Sequence, residues 1–129
     1  MTALYVQFGI VTAQPSLVEF LTEVFGFAKT TEVNGQIGTV VKLQGPGGVV
    51  LNLLIPIEQP QPAPRAEPFY AMSGLRYVTV RVDDLDGVVD RALSRGGHLI
   101  EPARLVGAIR CAFLADLDGN CFEVTEATA

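Results

Sequence analysis

The stretch Tyr77-Val78-Thr79-Val80-Arg81-Val82-Asp83-Asp84-Leu85 changes its periodicity once, and that change decides the fold. From Tyr77 to Val82 the residues alternate strictly, as in a half-buried strand. Val78, Val80 and Val82 share one face; Tyr77, Thr79 and Arg81 share the other. Asp83-Asp84 then offers a helix N-cap, after which Leu85, Val88, Val89, Ala92 and Leu93 recur at helical spacing. Gly96-Gly97 closes that helix, because glycine enters the left-handed region at little cost. His98-Leu99-Ile100 reads as a short strand and Ile109 to Ala115 as a longer one. Asp116-Leu117-Asp118-Gly119-Asn120 carries hairpin chemistry, and Cys121 to Thr125 is the returning strand.

Upstream the same order recurs. Gln7-Phe8-Gly9-Ile10-Val11 predicts a strand with Phe8 and Ile10 on the core face. Pro15 suits a first helical turn, Leu17, Phe20, Leu21, Val24 and Phe25 form the apolar stripe, and Gly26 ends the helix. The two helices are expected near residues 15–25 and 85–95. Thr30 to Val33, Thr39 to Leu43 and Val49 to Leu54 complete the unit, with Asn34-Gly35 and Gly45-Pro46-Gly47-Gly48 as turns. The halves match at a separation of about 70 residues, longer than a solenoid repeat and typical of a duplicated module. Gln7 answers Tyr77, Gly26 answers Gly96, Gly47-Gly48 answers Asp118-Gly119, and Asn52 answers Glu123. The expected organisation is one domain: module 1 over residues 1–55, a Pro-, Gln- and Ala-rich linker over 56–74, and module 2 over 75–129.

Composition narrows the function classes. The chain has 129 residues, 49% of them hydrophobic, enough for a substantial single core. No apolar run is long enough to span a bilayer, and Met1-Thr2-Ala3-Leu4-Tyr5 lacks the basic start of a signal peptide. A cytoplasmic protein without membrane partners is expected. The net charge of −5, with few and scattered Lys and Arg, argues against nucleic acid. Cys111 and Cys121 flank the hairpin without a surrounding Cys/His cluster, which is the pattern of reduced structural thiols. His98 is the single histidine and is expected at a surface or edge, so no multi-histidine metal site exists. P-loop, nucleophile-elbow and dinucleotide fingerprints are absent. Gly45 to Gly48 joins two strands and offers no helix N-terminus to a phosphate.

Three motifs carry a resemblance. Phe20-Leu21-Thr22-Glu23-Val24-Phe25-Gly26-Phe27 resembles the FYxxvLGF helix end of glyoxalase, bleomycin-resistance and dioxygenase proteins, the vicinal-oxygen-chelate superfamily. Tyr77 to Leu85 resembles their second-module strand, HxxFxVxDL, and Asp116 to Glu123 resembles their DPDGNxxE. The three stand in order over nearly the whole chain. The resemblance implies an α+β fold of two βαβββ modules whose mixed sheets curl around a cup, and frequent pairing into homodimers. It also implies a metal held in the cup by side chains from the first and fourth strands of each module.

Those positions here are Gln7, Asn52, Tyr77 and Glu123. Each has apolar neighbours in sequence, which places it on the face away from the helix-packed core. Tyr77 stands where His is expected and Asn52 where Glu is expected, while Glu123 keeps the pattern. A hard cation prefers charged carboxylates and a softer one imidazole, so two amides, a neutral phenol and one carboxylate predict no metal and no other cofactor. Glu123 has other uses open to it, including a charge pair with Arg81 or Arg110. Gln7 and Asn52 can satisfy one another's hydrogen bonds, and Tyr77 can serve as packing. Phe69-Tyr70 in the linker can anchor that segment or cover a ligand.

The function expected from this set is metal-independent binding of a small organic molecule, such as sequestration of an antibiotic-like or aromatic compound. Val11, Val50, Leu54 and Tyr77 would supply walls; Gln7, Asn52, Thr79, Arg81 and Glu123 would supply polar anchors. The alternative is an enzyme of lyase, isomerase or dioxygenase type, using an atypical metal or Glu123 as its catalytic general base. A third possibility is an interaction module with a vestigial cup.

Overall fold

Each half folds as strand, helix and three strands, because the period of its apolar residues shifts from two to 3.6 and back. The computed structural model describes residues 2–127. In the first half these are β1 (Phe8–Val11), α1 (Leu17–Phe25), β2 (Ala28–Asn34), β3 (Gly38–Gln44) and β4 (Val50–Pro56). In the second they are β5 (Tyr77–Arg81), α2 (Leu85–Ser94), β6 (His98–Val106), β7 (Ile109–Ala115) and β8 (Cys121–Ala127). Two four-stranded sheets result, ordered β1-β4-β3-β2 and β5-β8-β7-β6. In both, the first strand runs parallel to the fourth and the remaining pairs are antiparallel. This is the two-module α+β architecture. The chain divides into two compact units at Gln61/Pro62, so the second half of the linker belongs with the second unit.

In the first unit Leu51 and Leu53 of β4 and Val41 and Leu43 of β3 are buried, as is the stripe Leu17, Phe20, Leu21, Val24 and Phe25 of α1. Phe8 pairs with Leu51 and Ile10 with Leu53, which puts both on the core face. Phe8 nevertheless stays 38% exposed, because β1 is an edge strand. The helix starts at Leu17 rather than 15, since Gln14 to Ser16 form the turn that admits Leu17 N–H to the Gln14 carbonyl. Gly26 ends it at φ 78, a backbone that a Cβ would strain.

In the second unit Ala112, Leu114, Phe122 and Val124 form the buried face beneath Leu85, Val88 and Ala92 of α2. The entry to α2 is capped twice. Asp84 Oδ1 accepts Gly87 N–H at 3.0 Å, and Glu126 Oε2 accepts Leu85 N–H at 2.6 Å. Arg110 joins this end of the helix, donating to Asp86 Oδ1 at 2.9 Å and lying 3.6 Å from Glu126 Oε1. Strand β6 runs to Val106, well past Ile100; register shifts near Glu101 absorb Pro102 and keep the strand paired with β7. His98 is exposed on this edge strand.

The hairpin between β7 and β8 is built around a buried carboxylate. Asp116 Oδ1 accepts the N–H groups of Asp118 (2.9 Å) and Asn120 (2.8 Å), and its Oδ2 accepts the Asn120 side-chain amide at 2.8 Å. Burial pushes the Asp116 carboxyl up from its ordinary value despite these donors. Arg65 of the linker donates to the Asp118 carbonyl and lies over the same turn.

Candidate functional site on the open sheet faces

In each unit the residues between the buried ones form a second, polar sheet face. On the first unit this face holds Gln7, Gly9 and Val11 beside Asn52, with Lys42 of β3 directly across from Asn52. Gln7 lies just ahead of β1 and reaches the cluster from there. Asn52 Nδ2 donates to Gln7 Oε1 at 2.8 Å. The Lys42 ammonium donates to Asn52 Oδ1 at 2.9 Å and to Gln7 Oε1 at 3.4 Å. Gln7 and Asn52 are therefore joined by one hydrogen bond, and a lysine that the sequence had not singled out bonds both amide oxygens. Its parity with Asn52 in the β3–β4 hairpin is the signal that could have found it. Val50 and Leu54 flank Asn52 on this face and are half-buried; Val11 is exposed.

On the second unit Tyr77, Thr79 and Arg81 share a face with Glu123 and Thr125. Glu123 Oε1 accepts the Thr79 hydroxyl at 2.7 Å, and Oε2 accepts the Cys111 thiol at 3.3 Å. The charge pair with Arg81 or Arg110 does not form. Arg81 Nε donates instead to Thr125 Oγ1 at 2.9 Å, its directly paired residue on β8. Arg110 has the parity of Ala112 and Leu114, so it emerges on the helix side and serves Asp86 and Glu126. The Cys111 thiol is pushed up to about 11 by burial first and by the Glu123 bond second, which keeps it a protonated donor. Cys121, free and buried, is likewise raised to about 11, by burial first and then by the charge of Glu123. Cys111 pairs with Thr125 and Cys121 with Ala115, four residues apart along the ladder, or roughly 13 Å at strand rise, so the thiols are not adjacent.

Beside the carboxylate stands an aromatic wall. Phe113 lies across from Glu123 on β7. Its ring is 5.9 Å from Tyr77, edge to face, and 4.7 Å from Phe69, tilted by 34°. Phe69 also meets Tyr77 at 5.9 Å and Tyr70 at 5.2 Å, both nearly perpendicular. Phe69 thus anchors the linker onto this face, while Tyr77 remains 51% exposed. Phe113 and Cys111 were missed from sequence although the alternation of β7 puts both opposite the helix side.

A divalent metal on Gln7, Asn52, Tyr77 and Glu123 does not fit this chemistry. In the first unit the amide oxygens already hold an ammonium, which a metal would have to displace. In the second, both Glu123 oxygens accept bonds and the Tyr77 ring is engaged by Phe69 and Phe113. Among the described residues no group of three or more His, Cys, Asp or Glu side chains is placed to hold a metal ion.

The chain is thus a duplicated βαβββ module with an α+β fold. The chain belongs to the glyoxalase/bleomycin resistance protein/dioxygenase superfamily, whose family model matches residues 9–124. No curated protein matches it in sequence. Among solved structures it is similar to a glyoxalase family protein from Bacillus cereus, at 18% identity and TM-score 0.79 over 100% of this chain and 97% of that one. It is also similar to a genomically encoded fosfomycin resistance protein from Listeria monocytogenes, solved with Mn(II) and sulfate, at 10% identity and TM-score 0.71 over 99% and 95%. A third is TnmS3, an antibiotic binding protein from Streptomyces sp. CB03234, at 19% identity and TM-score 0.65 over 99% and 100%. These likenesses establish the fold. No helix among the described residues is long and apolar enough to cross a membrane.

Proposed function

We propose that the protein binds a small aromatic organic molecule without a metal, sequestering an antibiotic-like compound rather than transforming it. The observation that carries this is the aromatic wall of Phe69, Tyr77 and Phe113 beside the Glu123 carboxylate. An exposed ring edge and face next to an acceptor can stack a planar molecule and fix its orientation. Glu123 is held on both oxygens by Thr79 and Cys111, which suits an anchor that must keep its geometry. Arg81, on the same face of the second unit, is a further polar contact. The antibiotic-binding relative from Streptomyces supports the same use of the fold. Like many proteins of this architecture it is proposed to act as a homodimer in which a second copy covers exposed sheet edges.

A thermal-shift screen of natural products and aromatic metabolites tests the proposal. A ligand at a hundredfold excess over its Kd stabilises the fold by about 2.7 kcal/mol. Tyr77→Ala and Glu123→Gln should each weaken a hit while leaving the unliganded melting curve close to wild type. Unchanged affinity in both variants would remove this face as the site. Conversion of the hit to a product, or elemental analysis near one metal per chain, would replace the binder with an enzyme. Sedimentation of the same samples reads the dimer against a 13.8 kDa monomer.

A further inference from the structure

In the polar cluster of the first unit both amide oxygens already accept hydrogen bonds from within the cluster. Gln7 Oε1 takes bonds from both Asn52 and Lys42, and Asn52 Oδ1 takes one from Lys42. What remains is mostly donors. Lys42 keeps one ammonium proton, Asn52 one amide proton, and Gln7 its whole amide NH2. Among the described residues no carboxylate pairs with Lys42, whose bonds run to these two neutral amides. Lys42 is also half-buried in an interior strand of its sheet, between β4 and β2, so its charge is less screened than that of a surface lysine.

We infer that Lys42, Gln7 and Asn52 form an oxyanion-binding subsite, which takes a carboxylate, phosphonate or sulfonate group at two of the positions where the resemblance implied a metal. The ammonium supplies the positive charge and the amides supply directional N–H donors. Charge-assisted bonds of this kind are about twice as strong as neutral ones. The inference rests on the binding function proposed above and adds the class of group that the first unit takes, an oxyanion.

The test uses full-length protein labelled with ¹⁵N and two probes, 2-naphthoate and the neutral 2-naphthamide, titrated at constant ionic strength. Naphthoate should shift the side-chain NH2 signals of Gln7 and Asn52 saturably and bind roughly tenfold tighter or more than naphthamide. Lys42→Met keeps the apolar stem and removes the charge; it should abolish that preference. Lys42→Arg should retain much of it. Equal affinity of the two probes for wild type, or a preference that survives in Lys42→Met, overturns the subsite. Acetate is the control that separates the two proposals. Saturable shifts at Gln7 and Asn52 with acetate, without any response of the Tyr77 and Phe113 signals to naphthamide, would sustain the oxyanion subsite and sink the aromatic wall. Naphthamide binding without a Gln7 or Asn52 response to either anion would do the reverse.

Discussion

The two modules share a register and differ in charge. Position for position, Gln7 stands against Tyr77, Gly9 against Thr79, Lys42 against Phe113 and Asn52 against Glu123. The first face presents a lysine clamped by amides; the second presents a carboxylate clamped by a hydroxyl and a thiol, beside aromatic rings. Their buried faces differ far less, with Leu51 and Leu53 against Phe122 and Val124. A duplicated fold thus keeps the packing side under one constraint, volume and apolarity, and leaves the open side to diverge. One module becomes a cluster rich in donors, and the other a carboxylate beside aromatic rings.

The modules also differ in how they hold their turns, which gives the largest expected stability effect. The β7–β8 hairpin depends on Asp116, whereas the equivalent turn at Gly45 to Gly48 closes through backbone bonds, Gly45 N–H to the Val49 carbonyl and Val49 N–H to the Pro46 carbonyl. Asp116→Ala removes three accepted bonds and should destabilise the protein by about 2 kcal/mol in urea denaturation, the burial of the carboxylate offsetting part of what is lost. A loss below half of that would mean the turn is held by Arg65 and the backbone alone.

A smaller effect separates the helices. Asp84 caps α2 through its side chain, while Ser16 at the start of α1 makes no side-chain cap bond. Asp84→Ala should cost about 1 kcal/mol and Ser16→Ala less than about 0.5 kcal/mol, read from the same denaturation curves. Equal losses would erase this asymmetry between the modules.

The effect with no weight at neutral pH is an alkaline pH dependence in the second module, which holds both cysteines. Their folded-state values are raised to about 11 from an ordinary 9.0. Below 9 both states are protonated and the contribution is fully present. Between the two values the unfolded chain loses its thiol protons while the folded chain keeps them, so stability falls as pH rises and the contribution is gone above 11. The decline from pH 8 to 10.5 should be shallower in Cys111→Ala/Cys121→Ala than in wild type, and identical slopes would show that neither thiol is shifted. Iodoacetamide should also label native protein slowly at pH 8.

The sequence by itself determined the modules and the faces. Strict alternation from Tyr77 to Val82, the helical stripe after Asp84 and the Asp118-Gly119 turn are local properties, and each is read within a few residues. The same parity assigns Gln7, Asn52, Tyr77, Thr79, Arg81 and Glu123 to the open faces. Partners are another matter, because they depend on which strand lies alongside and in what register. The β3–β4 pairing brings Lys42 to Asn52, and the β7–β8 pairing brings Cys111 and Phe113 to Glu123. Opposite charge suggested Arg81 or Arg110 for Glu123. Only the tertiary structure decided otherwise, since Thr79 is the residue directly beside Glu123, Thr125 is directly beside Arg81, and Arg110 leaves its strand on the side of the helix.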